Sequence, residues 1–212
     1  MTRRARPLAA QTAAEIRLTL RRGDALLLNL VIPVGLLLFF SLVHVLPTPA
    51  GVHHPVQFLA PGIIALAVMS TAMVSLGIAT GFERSYGVLK RLGATPLGRP
   101  RLLVAKTLAI VAVELVQVAV LVAVGLALGW HITGDAGLAV VAVVIATAAF
   151  AGLGLLLAGT LKAEVTLAAA NGLYLLLLLL GGMVFPLSSL GTGLADVARA
   201  LPAGALSEVL HA

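Results

Sequence analysis

Five long apolar stretches run through this chain, and they leave little choice of fold. They are Leu26–Leu46, Phe58–Phe82, Thr107–Leu128, Ala136–Leu161 and Val165–Phe185. A helix needs about 20 apolar residues to cross the ~30 Å hydrocarbon core of a bilayer, and a helix satisfies its own backbone hydrogen bonds there. Only 10% of the residues are charged, against about 25% in a soluble domain, so there is too little polar surface to cover a water-facing globule. The sequence predicts an all-α integral membrane protein with five transmembrane helices. Pro33 falls inside the first, which membrane helices tolerate.

Basic residues orient the helices. With the N-terminus in the cytoplasm, the inside segments are 1–24, 83–106 and 162–164, and they hold thirteen of the fourteen Lys and Arg residues, leaving Arg199 outside. That asymmetry is the positive-inside rule. Three regions follow: an N-terminal interfacial segment (1–24), a transmembrane region (25–187) carrying the cytoplasmic stretch 83–106, and an extracytoplasmic interfacial tail (188–212). In the tail, Leu190, Leu194, Val197 and Leu201 recur at helical spacing until Pro202 breaks the pattern. Pro47–Pro55 is a loop of turn formers. Trp130 and His131 end the third run, where an interfacial tryptophan is expected. Lys162–Glu164 forms a tight polar turn.

Several chemistries are excluded. Cysteine is absent, so no disulfide, thiol nucleophile or thiolate metal site forms. Without a G-x-x-x-x-G-K-[ST] loop, the chain does not hydrolyse ATP by itself. The net charge of +6 lies in short segments between spans and aromatics make up 4%, which fits a topology signal and not a nucleic-acid surface. His53 and His54 read as solvated loop residues, because a metal site needs three or four convergent ligands. No catalytic residues and no bound cofactor are expected on this chain.

Glu114 is the one carboxylate well inside an apolar run. Intramembrane ionisable residues mark pathways and relays, and Gln117 shares its helix face three residues on. Glu114 can line a translocation path or accept a proton; equally, it can reach the interface or bond a neighbouring helix. Asn171 in the fifth run is a candidate of the same kind, with interhelical hydrogen bonding as its other role.

The cytoplasmic stretch Glu83–Lys106 is the richest. Tyr86, Leu89 and Leu92 fall on one side at i, i+3, i+6, and Glu83, Arg84, Gly87, Lys90 and Arg91 mostly on the other. The pattern predicts a short amphipathic helix under the membrane, capped near Gly93 and stopped by Pro96 and Pro100. On its physics alone it serves equally as a headgroup anchor or as a docking surface for a cytoplasmic partner.

The order E-R-x-x-G-x-L-K-R-L-x-x-T-P-L-x-x-x-x-L-L-x-x-K, from Glu83 to Lys106, resembles the ABC-2 type permease family. Glu15, Arg17, Arg21 and Arg22 followed by Asn29 and Pro33 are similar to its N-terminal interfacial helix and first span. Phe185-Pro186 and Leu201-Pro202 are similar to its outside segment. The resemblance implies the permease subunit of an ATP-driven exporter in a bacterial inner membrane. It implies that residues 83–93 form the helix resting on an ATP-binding subunit, with Glu83, Arg84, Lys90 and Arg91 supplying charge and Tyr86, Leu89 and Leu92 supplying packing. ATP and Mg would sit on that partner, a second permease subunit would complete a homo- or heterodimer, and lipid would surround both. The substrate implied is hydrophobic or amphipathic: a drug or antibiotic first, a lipid or polysaccharide precursor next. The family usually has a sixth span after the outside segment, which these 212 residues do not include. The rival reading is an ATP-independent secondary transporter or channel built on Glu114.

Overall fold

The computed structural model describes residues 5–21, 23–43, 54–94, 98–132, 134–183, 193, 198 and 201–211. Among them are helices and short turns, and no strand. The helices are α1 (Ala5–Arg21), α2 (Gly23–Val43), α3 (Pro55–Met69), a π-helical turn (Ser70–Ser75), α4 (Leu76–Ser85), α5 (Val88–Gly93), α6 (Arg99–Ala127), α7 (Ala136–Thr160), α8 (Ala163–Leu180) and α9 (Pro202–His211). The segment from α3 through the π turn to α4 is one continuous 31-residue helix. Among the described residues four helices are long and apolar enough to cross a membrane: Pro55–Ser85, α6, α7 and α8. Within α2 the apolar stretch Leu27–Val43 is shorter. The all-α membrane class is therefore the one the sequence predicts.

The long helix is the axis of the bundle. Every residue of α3 except Gln57 is buried, whereas α7 buries mainly a stripe at Ala146, Phe150, Gly154 and Ala158, the four-residue recurrence of one helix face. The α3 half packs against α2, α6 and α9; the α4 half packs against α7 and α8. Between α4 and α7 the backbones touch. A Cβ on Gly154 would lie 2.5 Å from the Met73 carbonyl oxygen, and one on Gly77 would lie 3.0 Å from that of Gly154. Small residues at this crossing let the two main chains meet, the usual way membrane helices gain close packing.

Three boundaries differ from the sequence reading. The amphipathic helix expected over 83–93 is only α5, because α4 runs on to Ser85 and the chain turns at Tyr86–Gly87. Gly87 takes φ +73, a left-handed conformation that costs other residues roughly 1–2 kcal/mol, and its N–H donates to Arg84 O (3.1 Å). Glu83 and Arg84 thus belong to the central helix. The third span begins at Arg99, ahead of Thr107, because Pro100 sits in the first helical turn, where its missing N–H costs nothing. For the same reason Pro202 stands at the first position of α9. The expected tail positions Leu190, Leu194 and Val197 lie outside the described residues, while α9 buries Ala203, Gly204, Leu206 and Ser207 against the bundle.

The backbone contact gives a stability test. Gly154→Val is expected to lower stability by about 1–3 kcal/mol through overpacking, read as a fall in melting temperature in detergent. Gly152→Ala, with nothing within 4 Å of its Cβ, is the matched control and should melt unchanged or slightly higher.

Candidate functional site

The polar residues of this apolar bundle fall into three groups along its length. At the end bearing α5, Lys106 from α6 lies between two carboxylates. Its Nζ is 2.9 Å from Glu15 Oε2 on α1 and also pairs with Glu83 on α4. Lys106 is only 4% exposed, and Glu15 is further held by Gln11, whose Nε2 donates to Oε1 at 2.8 Å. Beside this group, Arg84 Nη1 donates to the carbonyls of Ala158 (2.8 Å) and Leu161 (3.2 Å), closing the C-terminal end of α7. A cation there also meets the negative end of the helix dipole.

The second group gathers at the π turn. Thr71 donates to Gln117 Oε1 (2.9 Å), Gln117 Nε2 donates to the Asn29 carbonyl, and Asn29 Nδ2 donates to Ser75 Oγ (3.0 Å). Both ends of the Gln117 amide are used, and α2, the π turn and α6 are tied at one level. π turns insert one extra residue into a helix and recur at functional positions.

The third group faces the other way. Glu114, near the middle of α6, is 3% exposed. Thr147 of α7 donates to its Oε2 at 2.7 Å, and Oε1 has no hydrogen-bond partner among the described residues. This carboxyl lines a cleft of about 710 Å³ between α6 and α7, walled mostly by apolar side chains and reaching Trp130, Asp135 and α9 at its far end.

The sequence candidates are therefore dispersed. Glu114 and Gln117 share the buried side of α6 yet take partners on different helices. Asn171 is exposed on α8 and donates to its own Leu167 carbonyl (2.8 Å), so it joins neither of them. Glu83 is half-buried against Lys106, and Arg84, although exposed, is engaged by the end of α7. Tyr86, 72% exposed, stands clear with Lys90 and Arg91, while Leu89 and Leu92 are half-buried.

Thr71, Ser75 and Thr147 escaped sequence reasoning because a hydroxyl in a membrane helix often bonds its own i−4 carbonyl. Thr107 and Thr160 do so, to Leu103 O (3.1 Å) and Leu156 O (2.7 Å). Lys106 was visible only as the last basic residue before an apolar run. No cluster of three or more His, Asp or Glu side chains suited to a metal occurs among the described residues.

Comparison with known proteins gives one result. Residues 8–210 match the family model described as ABC-2 type transporter. Neither the curated proteins nor the solved structures gave a match.

The Lys106 group yields a test by charge removal. Lys106→Met leaves the buried Glu15 and the half-buried Glu83 facing each other and is expected to cost about 3 kcal/mol, seen as loss of folded protein on heating in detergent. Adding Glu15→Gln and Glu83→Gln should restore most of that stability, since the uncompensated charge is what destabilises. A triple variant as unstable as the single one would mean that packing, and not charge, is what Lys106 contributes.

Proposed function

Because the chain belongs to the ABC-2 type transporter family, we propose that it is the permease subunit of an ATP-driven exporter. Its N-terminus is cytoplasmic in the bacterial inner membrane, and its substrate is hydrophobic or amphipathic. The observation that carries this reading is the construction of the α4–α5 corner. Tyr86, Lys90 and Arg91 project from it, exposed, with Leu89 and Leu92 beside them. Its root residues are fastened to three other helices: Glu83 through Lys106 to α6 and α1, and Arg84 to the end of α7. A push on α5 is thus delivered to α1, α6 and α7 without passing through a flexible loop.

The division of labour follows. Tyr86, Leu89, Lys90, Arg91 and Leu92 form the surface for the ATP-binding subunit, which holds ATP and Mg. Glu83 and Arg84 transmit the load and do not touch the partner. A second permease subunit, the same or a related chain, completes the transporter within the lipid. The Lys106–Glu15 ion pair is a charge-assisted hydrogen bond, stronger and more directional than a neutral one, and Glu83 adds its charge to the same lysine.

Tagged protein purified from its native membrane in mild detergent should bring an ATP-binding subunit in stoichiometric amount. Tyr86→Ser combined with Lys90→Glu and Arg91→Glu is expected to reduce that recovery by about tenfold or more, because aromatic and arginine anchors dominate interface energies. These exposed positions should leave the melting temperature unchanged. If the protein purifies alone even after crosslinking in the membrane, the exporter reading fails. A proton-driven flux abolished by Glu114→Gln would then favour the ATP-independent transporter.

A further inference from the structure

The cleft between α6 and α7 takes no part in the coupling just described. At about 710 Å³ it falls within the range of sites that hold drug-sized molecules. Leu115 of α6 and Val140 and Val144 of α7 line it and are still 59–68% exposed. The cleft therefore opens sideways on the outer face of the bundle, towards lipid. From Trp130 and Ala136 at the rim to Glu114 and Thr147 at the floor, the helical rise gives a depth of about 15–20 Å.

Its chemistry is one-sided. Among the described residues Glu114, Asp135 and Glu208 line it and no lysine or arginine does, and Glu208 is already engaged by a partner. Asp135 spends Oδ1 capping α7, where Gly137 N (2.7 Å) and Leu138 N (3.2 Å) donate to it. The remaining titratable groups are the rim histidines, His131 and His211. His211 lies between two carbonyl oxygens, with Nδ1 2.7 Å from that of Ser207 and Nε2 2.9 Å from that of Phe58, and as a neutral imidazole it donates to one of them. At the floor, Glu114 is more than nine-tenths buried, and its Oε1 is without a partner among the described residues. A carboxylate so placed in an apolar setting is costly until a donor or a positive charge meets it. Trp130 and Phe58 are among the residues that line the outer half of the cleft, and aromatic side chains at such a site can contribute attraction for a cation.

We propose that this cleft is a binding site for lipophilic cations, which enter from the lipid side and set their positive group against Glu114. That such cations are also carried across the membrane rests on the exporter reading; their binding does not. Loss of the ATP-binding subunit leaves this site intact, and loss of this site leaves the α5 surface intact, so the two readings fail separately.

The chain contains one tryptophan, Trp130, and it lines the cleft, so its emission reports occupancy. The full chain in lipid nanodiscs is titrated with tetraphenylphosphonium and with tetraphenylborate, an ion of the same shape and opposite charge. Tetraphenylphosphonium should change Trp130 emission saturably, and Glu114→Gln should weaken that binding by about tenfold or more. Glu114→Gln keeps an acceptor for Thr147, and an unchanged melting temperature confirms that the fold survives. Ala139→Phe, which fills the cleft without touching Glu114, should also abolish the response. Equal affinity for the two ions, or equal tetraphenylphosphonium binding by wild type and Glu114→Gln, overturns the proposal. So does a Val144→Cys variant that a bulky membrane-permeant maleimide labels in nanodiscs but not in native membranes, because the cleft is then filled by protein.

Discussion

A polar side chain inside an apolar bundle cannot turn to water, so it must find its partner on another helix, and this constraint organises the whole structure. Lipid offers no hydrophobic drive between helices; packing and interhelical hydrogen bonds hold them together. Here the bonds are not scattered. Lys106 joins three helices at one end, Gln117 joins three segments at the level of the π turn, and Glu114 joins α6 to α7. All three anchors lie on α6. The central helix supplies the bulk of the packed surface, while α6 supplies the links that fix its neighbours around it.

The two properties are complementary. Where α4 meets α7, glycine against glycine, the contact is made of backbone and dispersion alone and specifies distance rather than direction. The polar links specify direction, since each needs a donor and an acceptor in line. Between α6 and α7, where few side chains meet, the single Thr147–Glu114 bond crosses a gap wide enough to hold a molecule. The same carboxyl therefore fastens the two helices through one oxygen and leaves the other without a partner among the described residues.

Much of this was legible in the sequence, and the reasons for the gaps are physical. Span length, the apolar runs and the basic asymmetry follow from bulk transfer energies, which sum over twenty residues and so survive local irregularity. Glu114 and Gln117 announced themselves as polar residues out of place, and both are buried with partners. Asn171 announced itself in the same way but bonds its own helix, because an amide can be satisfied locally as well as across a gap. Glu83 and Arg84 looked like surface charges on an amphipathic wheel. One left-handed glycine, Gly87, ends the wheel three residues after Arg84 and leaves both in the long helix. Lys106 and Glu15, ninety-one positions apart in the chain, could be paired only by the fold. The π turn left no trace at all, since Ser70–Ser75 reads as ordinary helix and the extra residue is a matter of phase.

That phase has a consequence for what one helix can be asked to do. An α-helix of uniform pitch carries a single apolar stripe along its length, and whatever packs on one end must lie in line with whatever packs on the other. A surplus residue at the midpoint turns the second half by about 100° relative to the first. The long helix of this protein is thereby two struts spliced out of alignment. One is indexed to α2, α6 and α9 and the other to α7 and α8, and the join lies within a segment whose hydroxyls hold it from both sides. Each half can therefore turn its own apolar face to its own main neighbours while the main chain stays one helix.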